Sequence, residues 1–205
     1  QFLGSARGIV VPGGFGERGL EGMIATANYA RTAGVPYLGL CLGMQIMVVE
    51  YARNELGIAD ATSLEIDPEA TNPVIAFMPG QEELHSTGGT MRLGSYPCVL
   101  KEGTRAREAY GQEIVSERHR HRYEFNNEYR IQLEEAGLVA SGTSPDGSLV
   151  EVTEVYGHTF MVGSQFHPEF GSRPERPHPL FREFIRAARG TLREGAQHDF
   201  FEEEE

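Results

Sequence analysis

The chain has 205 residues and a formal net charge of −12, from 30 Asp and Glu against 18 Lys and Arg. At 40% hydrophobic and 23% charged residues it has the composition of a globular domain with a sizeable core, and its acidic surplus excludes general nucleic-acid binding, which needs a basic surface. No apolar run approaches the roughly 20 residues of a membrane helix, no signal peptide is visible, and the two cysteines make no disulfide framework, so a reducing cytoplasm is the expected compartment.

After "QFLGSARG", the run "GIVVPGG" reads as a buried strand starting at Ile9 and ended by a glycine turn. The turn continues as "PGGFGERG", Pro12 to Gly19. As a phosphate cradle it lacks the lysine of G-x-x-x-x-G-K-[ST] and does not fit G-x-G-x-x-G. The favoured reading is a set of exposed N–H groups forming an oxyanion hole, each donor worth ~2.7–4 kcal/mol to a transition state. "GLEGMIATANYARTAG" places Leu20, Met23, Ile24, Ala27 and Ala30 on one helix face and stops at Gly34. "VPYLGLCL" is a second apolar strand, and "GMQIMVVEYARNELG" a second helix stopped at Gly57. Strand–helix–strand–helix at this spacing predicts parallel strands with right-handed crossovers, hence an α/β fold.

The middle of the chain, "MPGQEELHSTGGTMRLGSYPCVLKEGT", reads as strands with turns. "NNEYRIQLEEAG" reads as a helix capped by Asn126 or Asn127. "LVASGTSPDGSLVEVTEV" reads as a hairpin around "SPDG". "FMVGSQFHPEF" is a strand ending in His167-Pro168-Glu169, and "HPLFREFIRAARG" a closing helix with Pro179 in its first turn. The end, "FFEEEE", reads as a frayed, solvated tail.

Cys41 stands between Gly39 and Gly43 where a strand becomes a helix. G-x-C-x-G at that junction is the cysteine form of a nucleophile elbow. A sharp turn strains the nucleophile's backbone, and its neighbours must lack side chains. The helix that follows points free N–H groups at the sulfur and stabilises a thiolate and an oxyanion. An isolated buried cysteine is more often a small core residue, which is the reading for Cys98; the flanking glycines reverse it for Cys41.

A thiol nucleophile needs a base, and the base an orienting group. His167 lies at a strand end, where catalytic groups gather in open α/β sheets. Glu169 follows two residues on and would face the same side in an extended segment, so Cys41, His167 and Glu169 form a candidate triad. "RHRHRY" reads either as an anion-binding patch or as one solvated strand face. His119 and His121 lack an acidic or thiol partner at ligand spacing, so no metal is expected. His85, His158, His178 and His198 read as structural or exposed.

"VPGGFGERG", "GLCLGMQ" and "SQFHPEF" resemble the class I (triad) glutamine amidotransferase domains. "SLEIDP", "GGTMRLGSYPC", "SERHRHRYEFNN" and "RPHPLF" resemble, within that superfamily, the C-terminal glutaminase domains of the CTP synthase family. The resemblance runs from about Gly8 to Gly190. It implies a doubly wound, mostly parallel, flavodoxin-like sheet flanked by helices, lacking its first strand and helix. Residues 1–190 would be a glutaminase domain incomplete at its N-terminus, and 191–205 an acidic tail.

For function, the resemblance implies that Cys41 attacks the side-chain amide of L-glutamine to form a γ-glutamyl thioester, with His167 as acid and base and Glu169 orienting it. The N–H groups of Gly13 and Leu42 would bind the oxyanion. Gly14 and Leu42, Gly43, Met44 and Gln45 would line the glutamine pocket, with Glu65 and Arg122 at the amino-acid end. That placement suits a zwitterion, whose ammonium needs an anion and whose carboxylate needs donors. No cofactor is implied in this domain. A preceding synthetase domain would use ATP and Mg2+ to convert UTP to CTP with the ammonia, with GTP as activator and a homo-tetramer as the assembly. Another class I amidotransferase or a γ-glutamyl hydrolase is the alternative activity, and a non-catalytic module that keeps the fold is the alternative class.

Overall fold

The computed structural model describes residues 3–16, 18–77 and 91–190. The expected elements are there: β1 (Ile9–Val11), α1 (Leu20–Ala33), β2 (Tyr37–Leu40) and α2 (Leu42–Asn54) come first. They are followed by β3 (Thr62–Ser63), β4 (Pro73–Phe77), β5 (Arg92–Leu100), α3 (Arg105–Tyr110), β6 (Ile114–His121) and β7 (Tyr123–Phe125). Last come α4 (Arg130–Ala136), β8 (Leu138–Thr143), β9 (Val150–Val155), β10 (Met161–Ser164) and α5 (Pro179–Gly190).

Most of the local signals act as read. Gly34 closes α1 in the left-handed conformation, φ 70°, with its N–H on the Ala30 carbonyl. Helix α2 ends at Asn54, three residues before the expected stop at Gly57. The Asn126 side chain accepts from the Glu128 N–H and caps the 3-10 turn that leads into α4. Between β8 and β9, Asp146 accepts from Ser144 and Ser148 and tightens the hairpin turn. The segment 78–90, with His85, and the tail 191–205, with His198, lie outside the described residues.

The main sheet runs β1-β2-β10-β9-β8-β5-β6. Here one expectation is corrected: the sheet is mixed, not mostly parallel. Only β1, β2 and β10 run parallel, and the pairs from β10 to β6 are all antiparallel. The physical reason is connection length. The first strands are joined through helices, as parallel neighbours require, whereas β8 to β9 and β9 to β10 turn back through short loops. A second, three-stranded sheet, β3-β4-β7, lies apart.

Alternation in the strands builds a core on each face. Tyr37 and Met161 join Ile24, Ala27, Ile46 and Val49 on the α1–α2 side. Leu38, Leu40, Val152 and Val162 join Leu180 and Phe184 of α5 and Ala106 of α3 on the other. Helices on both faces make this the expected α/β class. Every residue from Leu42 to Ala52 is buried, because α2 packs on the main sheet, on α1 and on the small sheet together. The ends of β1, β2 and β10 that carry Gly13, Cys41 and His167 are the carboxyl ends of the three parallel strands, where sites form in open sheets.

Candidate active site

The turn between β2 and α2 is made by Cys41 alone. Its backbone sits at φ 51°, ψ −102°, and among the described residues it is the one non-glycine with positive φ. Such a conformation costs about 1–3 kcal/mol and persists only where the surroundings enforce it. The enforcement is visible: the Cys41 N–H donates to the Ser164 carbonyl at 2.7 Å, and its carbonyl accepts from Met44 at 3.0 Å and Gln45 at 3.2 Å. The glycines on either side are required by contact. A Cβ on Gly39 would lie 2.4 Å from the Gly43 carbonyl oxygen, and one on Gly43 would lie 2.0 Å from that of Val11. The first turn of α2 therefore rests directly on the backbone of β1, with Leu42 and Gly43 at the N-terminal turn where helical N–H groups lack internal partners.

His167 arrives from β10. Its N–H donates to the Arg118 carbonyl of β6 at 2.8 Å. Its Nδ1 is 2.7 Å from Glu169 Oε1. An ionised carboxylate only accepts, so Nδ1 carries the proton and Nε2 is the nitrogen left to act. That atom is buried and has no hydrogen-bond partner among the described residues. The pairing of His167 with Glu169 is as expected, but not by an extended chain: a 3-10 turn over Pro168–Phe170, with proline at its start, brings the carboxylate back to the ring.

The charges are mutually supporting. The Cys41 sulfur, then Glu169, raises the His167 imidazolium to about pKa 10 against the cost of burial. Burial, the largest influence, would raise the Glu169 carboxyl, but the His167 hydrogen bond together with a backbone hydrogen bond and the charges of His167 and His178 brings the net shift downward. Gly13 is wedged against both: a Cβ there would lie 2.9 Å from His167 Cε1 and 3.5 Å from Cys41 Cβ. Its backbone is thus beside the reacting groups.

A cavity of about 360 Å³ opens at the sulfur. Of the expected pocket residues, Gly14, Cys41, Gln45, Glu65 and Arg122 line it. Met44 does not: its side chain is fully buried and fills the space over Gly163. Leu42 packs beneath Gly14, and Gly43 is spent on the contact with Val11. Glu65 is held by the backbone of Gly16; burial raises its pKa, with Arg122 pulling the other way. Arg122 occupies a corner, because His121 ends β6 in the main sheet and Tyr123 begins β7 in the small one.

Sequence reasoning missed several lining residues: Phe15, Met91, Arg120, His121 and Tyr123. It also missed Gln165, buried behind the sulfur. The available signal was the alternation in "SERHRHRY". Along β6 the odd positions Glu117, His119 and His121 are buried and Arg118 and Arg120 are exposed, so the two arginines lie on one solvated strand face and the histidines on the buried one. His119 Nδ1 and His121 Nε2 are 2.9 Å apart and bond to each other. His158 and His178 are buried and structural, bonded to the Ala30 carbonyl and to Glu117 respectively. Cys98 is fully buried, and burial pushes its thiol pKa up, as befits an inert core residue.

The sequence matches the family model of glutamine amidotransferase class-I over residues 2–187. It is 60% identical over 197 residues to a CTP synthase of Dehalococcoides mccartyi, covering 96% of this chain and 36% of the relative. It is 63% identical over 197 residues to a CTP synthase of Roseiflexus castenholzii, covering 96% and 36%. The chain thus spans little more than a third of the length of these curated relatives. Among solved structures, the glutaminase domain of Trypanosoma brucei CTPS with bound acivicin superposes with a TM-score of 0.86 at 39% identity, over 91% of this chain and 72% of that one. A glutamine amido transferase from Methylobacillus flagellatus shares the fold with a TM-score of 0.51 at 15% identity, over 94% and 61%.

Proposed function

The chain belongs to the glutamine amidotransferase class-I family, and from that membership we propose that it is the glutaminase domain of a CTP synthase. The observation that carries the reading is the joining of a strained Cys41, an imidazole–carboxylate pair and a pocket with Glu65 and Arg122 in its wall. The similarity to named CTP synthases supports the choice of member.

L-Glutamine lies with its ammonium toward Glu65, its carboxylate toward Arg122 and its side-chain amide at Cys41. The sulfur attacks the amide carbon, and the N–H groups of Gly13 and Leu42 meet the oxyanion. His167 Nε2 gives its proton to the departing ammonia, leaving a γ-glutamyl thioester. Water then attacks with His167 as base, and glutamate and the free thiol are released. The sum is glutamine plus water to glutamate plus ammonia, with no cofactor in this domain.

In the whole protein the ammonia passes to a synthetase domain that uses ATP and Mg2+ to convert UTP to CTP, with GTP as activator, in a cytoplasmic homo-tetramer. Residues 1–190 serve as the glutaminase unit. Among the described residues no helix is long and apolar enough to cross a membrane. The test is labelling with a glutamine-like diazo ketone, with glutamine turnover measured beside it. Alkylation at Cys41 alone, and loss of turnover in Cys41→Ala, are expected. Label on Cys98, or a preference for γ-glutamyl peptides over glutamine, overturns the reading.

A further inference from the structure

The side chain of Gln165 is fully buried, and its Nε2 lies 3.7 Å from Cys41 Sγ as a hydrogen-bond donor. An amide has two ends, and which end faces the sulfur decides whether it stabilises or repels a thiolate. Here the network leaves no freedom. The Tyr123 carbonyl can only accept. It lies 3.1 Å from Gln45 Nε2 and 3.1 Å from His121 Nδ1, so both must present N–H groups to it. With Gln45 so oriented, its amide nitrogen also faces Gln165 Oε1 at 3.3 Å, and that atom must be the acceptor. Gln165 is then bound to aim its N–H at the sulfur. At the other end, His121 Nε2 is left to accept from His119 Nδ1.

Gln165 is also fixed in place along the chain. Its backbone N–H donates to the Glu151 carbonyl of β9 at 2.8 Å, and Ser164 just before it bonds the Cys41 N–H. The same short segment therefore grips the nucleophile's backbone and reaches its sulfur.

We propose that Gln165 is a further residue of the reaction, a donor that holds the Cys41 thiolate, its orientation imposed through Gln45 by the Tyr123 carbonyl. In turn Gln45 has an internal duty. Both of its amide N–H groups are committed to protein acceptors, so only its oxygen is left to face a substrate.

The kinetic arm of the test rests on the glutaminase reading, and the chemical arm does not. In the full chain, Gln165→Met and Gln165→Glu are compared with wild type by glutamine turnover and by the rate of Cys41 alkylation with iodoacetamide, the site confirmed by mass spectrometry. A hydrogen bond to a charged partner lost in Gln165→Met lowers kcat about ten- to hundredfold, with KM for glutamine within about threefold. Alkylation slows about tenfold at neutral pH. Gln165→Glu keeps the acceptor for Gln45 but sets an anion against the sulfur, so it slows both rates further. A folded Gln165→Met with wild-type alkylation overturns the proposal, whatever its turnover. Should Gln165→Met fail to fold, wild-type rates in the isosteric Gln165→Glu overturn it. Gln165-dependent alkylation in a wild-type chain that does not hydrolyse glutamine sustains this proposal and removes the glutaminase reading instead.

Discussion

Gly43 rests on Val11 so closely that a Cβ on it would lie 2.0 Å from the Val11 carbonyl oxygen. Backbone cannot swing aside as a side-chain tip can. Gly43→Ala therefore forces α2 off β1 and costs at least the ~1–3 kcal/mol typical of overpacking, read as a drop in the urea midpoint at unchanged slope. Gly14→Ala is the contrast. Its Cβ would meet a flexible Leu42 Cδ2 at 3.3 Å, and its midpoint stays close to wild type. Equal losses in the two variants would refute the packing argument.

The imidazolium of His167 is raised to about pKa 10, first by the Cys41 sulfur and then by Glu169. A histidine shifted upward adds stability that is full below its unfolded value near 6.5 and disappears as pH rises through the folded value. The thermal midpoint of the wild type should therefore fall between about pH 6.5 and 10 relative to Cys41→Ala, in which the main cause of the shift is gone. Ring nitrogen NMR gives the same answer directly: a wild-type His167 that titrates near 6.5 would end the ion-pair account.

Glu169→Gln keeps the shape of the pair but removes the charge that supports the imidazolium and fixes its tautomer. Turnover should fall by about 10² to 10⁴, the scale of general acid–base catalysis, with KM for glutamine little changed. A variant with normal kcat would show that Glu169 has no orienting role.

Glu65 and Arg122 line the same pocket as Cys41, and in the proposed pose they hold the amino-acid end of glutamine. Their loss should appear in binding. Glu65→Gln and Arg122→Ala each remove a charged hydrogen bond worth about 1.5–3 kcal/mol, so KM for glutamine rises about ten- to hundredfold with a smaller change in kcat. Iodoacetamide should alkylate Cys41 at the wild-type rate in both. A pure kcat defect in either variant contradicts the assignment.

Behind the pocket, Arg92 is buried with two carboxylates, 2.6 Å from Glu151 and 3.6 Å from Glu124. One cation does not satisfy both, and burial, then the charge of Glu151, raises the Glu124 carboxyl to about pKa 8. A carboxyl raised above its unfolded value near 4.5 favours the fold at low pH, and that contribution is lost as pH rises through 8. Glu124→Gln should flatten the fall in melting temperature between about pH 4.5 and 8. Arg92→Leu takes from the buried Glu151 its 2.6 Å partner and should destabilise by about 3–5 kcal/mol at neutral pH.

The elements that local chemistry controls were legible from the sequence. The elbow declared itself because a strained turn and a close backbone contact both need glycine, and no other residue type substitutes. His167 and Glu169 declared themselves by spacing, though the 3-10 turn that joins them left no mark beyond Pro168. The antiparallel half of the sheet was less legible, because strand direction is set by which loops turn back, and "RHRHRY" gives no sign of its neighbours. Gln165 was hidden for a plainer reason. A buried glutamine looks like any other polar residue in "SQFHPEF" until the partners of its two amide ends are known.

The alternation along β6 constrains how this protein can change. His119 and His121 face inward and Arg118 and Arg120 face out, while the next residues supply Arg122 and Tyr123 to the pocket. Deleting or inserting a single residue between Ile114 and His121 would rotate the strand by one face. Two guanidinium groups would then enter the core, two imidazoles would leave it, and Arg122 would turn from the pocket. Length variation in this strand is therefore open to a lineage only in steps of two, or in the turn after Tyr110, where no ladder is yet in register.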